Sequence, residues 1–150
     1  FSDWLDEFAP TWYTAVPTMH RAIADRAAEH AESVRRSRLR FLRTSTSDLP
    51  RTTLTDLERS FAVPVIEAYG MTEASHQMAS NPLPPAVRKP GSVGVAAGPD
   101  IAIMAADGSV LPWNTTGEVV IRGPSVTSGY AANPDANAAA FTKCETLLFA

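Results

Sequence analysis

Apolar runs and polar interruptions alternate over residues 1–90 in a pattern that predicts strands and helices in turn. Aromatic and β-branched residues at 11–16, a short apolar run at 39–42 and a third run at 63–68 predict three strands. Between successive strands, apolar residues recur at the spacing of a helix that buries one face. Strands that alternate with helices are joined by right-handed crossovers, so the pattern predicts an α/β lobe with a parallel sheet.

Two prolines mark where the helices between these strands begin. Pro17 and Pro50 each precede a helical pattern, and proline fits the first helical position because the N–H that it lacks has no partner there. A further short helix is predicted over residues 2–8. The apolar residues that define the two longer helices are Met19, Ile23 and Ala27 in the first and Leu54, Leu57 and Phe61 in the second.

The pattern changes near Asn81, where prolines and glycines replace the long apolar runs. Short apolar segments at 101–104, 110–111 and 118–122 predict small strands, and Asp107-Gly108 predicts a hairpin turn. The second half of the chain is therefore predicted to form an antiparallel sheet rather than to continue the parallel one.

These patterns predict an α/β fold with three parts. A parallel sheet with flanking helices occupies residues 1–80, and a proline- and glycine-rich connection occupies 81–99. A small antiparallel β subdomain with a short alanine-rich helix, which begins at Asn133-Pro134, occupies 100–142. Residues 143–150 form an atypical tail, and no role is expected for its cysteine, Cys144.

Two polar loops follow predicted strands at the carboxyl edge of the parallel sheet, where ligands bind in such folds, and each loop precedes a predicted helix. The first loop, residues 45–48, carries hydroxyls and a carboxylate and, taken alone, favours a helix cap over a binding site. The second loop, residues 69–76, combines an aromatic ring, a glycine, a hydroxyl, a carboxylate and an imidazole. A glutamate beside a hydroxyl suits Mg²⁺, which binds one or two carboxylates together with phosphate oxygens. The second loop therefore predicts a nucleotide-binding lobe.

Composition narrows the classes of protein further. Thirteen Lys and Arg against sixteen Asp and Glu give a net charge of −3, which argues against a dedicated nucleic-acid-binding protein. No apolar run approaches the roughly 20 residues of a membrane span. The single cysteine excludes an internal disulfide and fits a reducing compartment, so a cytoplasmic location is expected. His20 and the five arginines between 35 and 43 are assigned to helix packing or a solvated helix end, and Gly91, Gly94 and Gly98 to turns.

Three sequence blocks resemble the adenylate-forming, or AMP-binding, superfamily. Residues 69–73, Tyr-Gly-Met-Thr-Glu, are similar to its Y-G-x-T-E motif, with methionine in the variable position as in acyl-CoA synthetases. Residues 89–94 and 117–123, the latter followed by Val126, Gly129 and Tyr130, resemble two further blocks in the same order. At the level of the subgroup, residues 12–18 and 67–76 are most similar to oxalate–CoA ligases, also described as peroxisomal-type CoA synthetases.

The resemblance implies an enzyme that uses ATP to convert a carboxylic acid to an acyl-adenylate and then transfers the acyl group to CoA. It implies that Thr72 contacts the α-phosphate and that Glu73 holds Mg²⁺, which makes these two the expected catalytic residues. The residues expected to bind the nucleotide are Ser45, Thr46, Ser47 and Asp48 in the adenine loop, then Glu67, Ala68, Tyr69, Gly70, Met71 and Thr72.

Oxalate is the substrate that the subgroup implies, and its second carboxylate needs hydrogen-bond donors in the acyl pocket. His76 lies three residues beyond Glu73, and Thr46 follows the neighbouring strand, so these two are the expected substrate contacts. Without the resemblance, packing or capping of the loop would be the preferred role of His76. A coumarate-type or medium-chain acyl-CoA ligase is the alternative within the enzyme class.

Several blocks of the superfamily have no counterpart among these 150 residues: its glycine-rich phosphate loop, the block with the ribose-binding aspartate, and the C-terminal domain with the catalytic lysine. We therefore expect an internal fragment that is inactive alone. The alternative is a truncated, non-catalytic remnant that binds adenine nucleotide weakly. The cytoplasm is the expected compartment and the peroxisome the alternative.

Overall fold

The computed structural model describes residues 1–141, which divide into two compact units. The first unit consists of residues 1–69 and 80–95, and the second contains residues 70–79 and those from 96 onward. The helices are α1 (Ser2–Phe8), α2 (Pro17–Arg26), α3 (Ala31–Arg36), α4 (Arg51–Phe61) and α5 (Pro134–Ala140). The strands are β1 (Trp12–Thr14), β2 (Phe41–Thr44), β3 (Val65–Met71), β4 (His76–Ser80), β5 (Val95–Ala96), β6 (Asp100–Met104) and β7 (Glu118–Arg122).

The first five strands form one sheet in the order β1-β2-β3-β4-β5. Strands β1, β2 and β3 pair in parallel, with Tyr13 opposite Leu42 and Leu42 opposite Val65, so the prediction of a parallel sheet is confirmed. Leu42 and Leu57 are completely buried in the core of the first unit. The residue pairing Thr44–Glu67 places the carboxyl end of β2 beside the middle of β3.

The boundaries of all three parallel strands differ from those predicted, and β1 is shortened to Trp12–Thr14. Strand β2 begins at Phe41, so Leu39 is buried but lies before the strand. Strand β3 begins at Val65, because Pro64 has no N–H to donate to a neighbouring strand. It continues through Met71 into the predicted second loop, which makes the prediction that this loop begins at Tyr69 wrong.

The helices follow their apolar patterns closely. Helices α1, α2 and α4 lie where predicted, and Leu54, Leu57 and Phe61 of α4 are all buried, which confirms that face. In α2, however, Met19 remains 56% exposed, so it does not share the packing of Ala27. The exposed last turn of α3 carries Arg35 and Arg36, as expected for a solvated helix end. For the other three arginines this assignment is wrong, because Arg38 and Arg40 follow the helix and Arg43 lies in β2.

The packing role expected for His20 is confirmed, because its side chain is completely buried. His20 Nε2 lies 3.0 Å from the carbonyl oxygen of Arg43, to which it donates, so Nδ1 accepts from the Tyr13 hydroxyl at 3.4 Å. Burial lowers the pKa of His20 and raises that of Tyr13. Both side chains are therefore uncharged at neutral pH.

The second unit contains the predicted antiparallel hairpin. Strands β6 and β7 pair with Ile101 opposite Ile121, and the Gly108 N–H closes a turn onto the Ala105 carbonyl at 3.0 Å. The predicted strand at 110–111 is reduced to a single bridge between Val110 and Met104.

Helix α5 begins as the Asn133-Pro134 signal predicts. The Asn133 side chain accepts a hydrogen bond from the Ala136 N–H at 3.2 Å, and proline occupies the first turn. The expectations for residues 143–150, Cys144 included, fall outside the described residues. Within residues 1–141, no helix combines the length and the apolarity that a membrane crossing requires.

Candidate functional site

The predicted adenine loop, residues 45–48, follows β2 in the first unit. Ser45 is half-buried and accepts a hydrogen bond from Arg43 Nη1 at 3.1 Å, whereas the other three residues are exposed. The alternative that this loop caps a helix is wrong, because the N-cap of α4 is Pro50 and no side chain caps it. Next to the loop, the buried Thr44 Oγ1 has no hydrogen-bond partner among residues 1–141. An orphaned hydroxyl at this edge fits a site for a polar ligand.

In the middle of β3, Glu67 and Ala68 are buried and Tyr69 is half-buried. The Glu67 carboxylate accepts from the Gly91 N–H, with distances of 3.2 and 3.0 Å to its two oxygens. The side chain of Glu67 therefore already has a partner within the first unit. Its expected place against the nucleotide remains a prediction.

Asn81, a residue of the first unit, was not among the predicted site residues. It is 4% exposed, and its Nδ2 donates to the carbonyl oxygens of Glu67, at 3.3 Å, and of Ser92. Its Oδ1 accepts from the Lys89 N–H at 2.8 Å. One amide thus joins the middle of β3 to residues 89–92. The only signal in the sequence is a polar residue directly before a proline-rich run.

The second unit holds the other half of the Y-G-x-T-E-like motif. Thr72–Ala74 form a single 3-10 turn, and β4 begins at His76, so the predicted helix after this loop is wrong. A Cβ on Gly70 would lie 1.5 Å from the His76 carbonyl oxygen, so only glycine permits this approach. His76 itself adopts φ 88°, a left-handed conformation in which a non-glycine residue is strained. The turn brings Thr72, Glu73 and His76 together within one short segment.

Glu73 is held by residues far along the chain at both its main chain and its side chain. The Thr127 N–H donates to the Glu73 carbonyl oxygen at 2.8 Å, and the Tyr130 hydroxyl donates to Glu73 Oε1. A third bond joins the same segments, because Ser75 Oγ donates to the Ser125 carbonyl oxygen at 2.8 Å. The Tyr130 hydroxyl bond holds the pKa of Glu73 below its usual range and raises that of Tyr130. Glu73 is therefore ionised at neutral pH.

Tyr130 is in turn held by helix α5. Its N–H donates to Asn137 Oδ1 at 2.6 Å, and Asn137 Nδ2 donates back to the Tyr130 carbonyl oxygen at 2.9 Å. The Phe141 ring packs edge-on against the tyrosine, with the ring centroids 5.5 Å apart. Gly129, at φ 128°, lies so close to Asn137 that a Cβ there would be 2.8 Å from Oδ1. In the sequence, Tyr130 was recognisable only as part of a block, and its contact with Glu73 was not predicted.

The donor set of the 72–76 turn fits a magnesium ion bound together with phosphate. Glu73 supplies an ionised carboxylate, one oxygen of which accepts from Tyr130, and Thr72 supplies an exposed hydroxyl. Among residues 1–141 no group of three or more His, Cys, Asp or Glu side chains forms a metal cage. Mg²⁺ does not require one, since it keeps several waters and binds through one or two carboxylates plus substrate phosphates.

Comparisons with known proteins identify a family and several relatives of this chain. The family model described as AMP-binding enzyme matches residues 1–131. An oxalate–CoA ligase of Arabidopsis thaliana is 50% identical over 138 residues, which are 91% of this chain and 27% of that protein. Probable CoA ligase CCL9 of Humulus lupulus is 51% identical over 141 residues, which are 92% of this chain and 27% of that protein. The chain thus spans about a quarter of the length of these relatives.

Solved structures share the fold. The crystal structure of a long-chain-fatty-acid–CoA ligase from Archaeoglobus fulgidus superposes with a TM-score of 0.84 at 21% sequence identity. The match covers 99% of this chain and 32% of the other. The predicted fold class is therefore confirmed, and at this level of identity the similarity concerns the fold alone.

Proposed function

Because the chain belongs to the AMP-binding enzyme family, we propose that it forms the nucleotide-binding part of an ATP-dependent acyl-CoA ligase. The observation that carries the proposal is the 72–76 turn, where an exposed hydroxyl adjoins a carboxylate that is ionised and fixed by hydrogen bonds. An arrangement of this kind suits phosphoryl chemistry, in which positioning and charge neutralisation matter more than covalent help from the protein.

In the proposed reaction, a carboxylate oxygen of the acid attacks the α-phosphorus of ATP, and pyrophosphate leaves with the electron pair of the broken P–O bond. The Thr72 hydroxyl donates a hydrogen bond to an α-phosphate oxygen. Glu73 holds Mg²⁺, which when bound neutralises charge on the phosphates. The CoA thiolate then attacks the acyl carbon, and AMP leaves. Residues 45–48 and 67–71 supply the surroundings of the nucleotide.

We propose oxalate, or another short dicarboxylic acid, as the acid substrate. One relative is named an oxalate–CoA ligase, whereas the other is named only as a probable CoA ligase. His76 supports the choice, because its side chain is exposed next to the Thr72–Glu73 turn and carries a hydrogen-bond donor for a second carboxylate. Thr46, exposed after β2, is the second proposed donor. A coumarate-type or medium-chain acid would instead require an apolar pocket.

For the compartment we propose the cytoplasm, with the peroxisome as the alternative. The single cysteine among 150 residues is the feature that supports a reducing environment. Fluorescence microscopy of the tagged protein in its own cells distinguishes the two, since peroxisomal import produces punctate rather than diffuse signal.

The activity is tested in a chimera in which this chain replaces the matching 27% of the Arabidopsis relative. Glu73→Gln keeps the shape of the side chain and removes its charge, so ATP–pyrophosphate exchange is expected to fall by about 10²-fold. Glu29→Gln, on an exposed residue of the first unit, is the matched control and is expected to leave the rate unchanged. Equal rates for Glu73→Gln and the parent chimera would contradict the proposed role of Glu73.

The acid is tested by His76→Leu in the same chimera, assayed with oxalate and with butyrate. A lost hydrogen bond to a charged group costs about 1.5–3 kcal/mol. The variant is therefore expected to lower kcat/KM about 10- to 100-fold with oxalate and to leave kcat/KM with butyrate unchanged. An equal loss for both acids would make His76 structural and would remove the support for a dicarboxylic acid.

A further inference from the structure

Tyr130 is an exposed aromatic residue whose surroundings serve to fix it in place. It is 39% exposed, so burial of its ring contributes little to the core. Nevertheless, two hydrogen bonds with Asn137 fix its main chain, and Phe141 packs against its ring. This arrangement places the phenolic hydroxyl of Tyr130 in contact with the Glu73 carboxylate.

We propose that Tyr130 is a positioning residue that holds the Glu73 carboxylate in the orientation needed to bind Mg²⁺. The inference rests on the proposed function, because it assigns Tyr130 a role only if Glu73 binds the ion. A carboxylate has about four acceptor positions on its two oxygens, so one hydroxyl donor leaves capacity for a metal ion. Partners of this kind orient metal ligands, and their loss costs metal affinity although they never touch the metal.

The geometry separates this role from simple anchoring of the turn. The Thr127 N–H and the Ser75 hydroxyl already tie the turn to residues 125–127 through main-chain carbonyl oxygens. These bonds fix the main chain of Glu73 but leave its side-chain torsions free. The Tyr130 hydroxyl contacts the carboxylate itself, which is the part of the residue that would bind an ion.

The test measures metal binding without turnover, in the chimera described above. Mn²⁺ is titrated into ATP with and without the protein, in the absence of acid, and the additional loss of the free-ion EPR signal counts the Mn²⁺ that the protein binds. Tyr130→Phe, which removes one oxygen and keeps the ring, is expected to weaken Mn²⁺ binding by about tenfold. ATP binding measured without metal is expected to stay unchanged. Ser128→Ala, which removes an exposed hydroxyl from the same segment, is the matched control and is expected to bind Mn²⁺ like the parent.

Each outcome supports or overturns a separate claim. If Glu73→Gln loses Mn²⁺ binding and Tyr130→Phe does not, the positioning role is wrong and the proposed function stands. If Glu73→Gln binds Mn²⁺ like the parent, the metal role of Glu73 in the proposed function is wrong. A Tyr130→Phe variant that fails to fold would also overturn the inference, because a hydroxyl that only orients Glu73 is not needed for folding.

Discussion

Replacing Gly70 with alanine is expected to displace the turn that carries the proposed catalytic residues. The added Cβ would lie 1.5 Å from the His76 carbonyl oxygen and 2.6 Å from its carbonyl carbon. Both atoms belong to the main chain, so no side-chain rotation can relieve the clash. Residues 70 and 76 must therefore separate by about 1.5 Å before the contact becomes tolerable, since nonbonded carbon and oxygen atoms approach to about 3 Å at closest.

The expected decrease in the free energy of unfolding depends on the kind of atoms that clash. Overpacking against a flexible side chain typically costs 1–3 kcal/mol, and a rigid main-chain partner places Gly70→Ala at about 3 kcal/mol or above. A displacement of about 1 Å at the turn is also expected to reduce the adenylation rate of the chimera by about 10²-fold.

The assay is chemical denaturation of the 150-residue chain followed by circular dichroism, with Gly108→Ala as the matched control. Gly108 has φ 84°, yet a Cβ there would meet no atom within 4 Å. That variant therefore reports backbone strain alone, about 1 kcal/mol. If Gly70→Ala destabilised the chain no more than Gly108→Ala, the inferred close approach of Gly70 to His76 would be refuted.

Two further predictions concern buried polar groups of the first unit. Asn81→Leu is expected to lower the free energy of unfolding by about 2–4 kcal/mol, because the Lys89 N–H and the Ser92 carbonyl lose their partner. Ser47→Ala, on an exposed residue of the same unit, is the control in the same denaturation assay. An Asn81→Leu variant as stable as the parent would contradict the role of Asn81. Because burial lowers the pKa of His20, the unfolded chain binds an extra proton below about pH 6.5, and the stability of the chain is expected to fall as the pH decreases through that value. In thermal melts between pH 7 and 5, His20→Gln is expected to show a smaller decrease in melting temperature than the parent. Parallel pH profiles for the two proteins would disprove this role of His20.

Local patterns predicted helices α1, α2, α4 and α5 and the parallel connections, but they misplaced strand ends. The face of α4 was predictable because Leu54, Leu57 and Phe61 repeat at a spacing that only a helix brings onto one side. Strand ends depend instead on where a neighbouring strand offers partners. Strand β2 extends to Thr44 because Arg43 and Thr44 pair with Ile66 and Glu67, information that the polar sequence Arg-Thr does not carry.

Residues 72–75 were correctly predicted to lie in a loop, but the backbone conformation of the 72–76 turn was not predicted. Its two left-handed residues are Ser75 and His76, and neither is a glycine that would indicate a positive φ. The strand that follows begins with His76 and Gln77, which show no alternation of apolar and polar residues. Tertiary contacts therefore set this conformation, and a local pattern could not predict it.

The same reasoning explains why a five-residue motif describes only part of a site. Glu73 is recognisable within the motif, but Thr127 and Tyr130, which hold its main chain and its carboxylate, lie more than fifty residues downstream. A glutamate on an exposed turn otherwise loses side-chain freedom when it binds an ion, and that loss weakens binding. Because Tyr130 restricts the carboxylate beforehand, and Asn137 restricts Tyr130, the entropy is lost on folding rather than on binding. Under the proposed function, the block around residues 117–130 and helix α5 therefore belong to the metal site as much as the glutamate does.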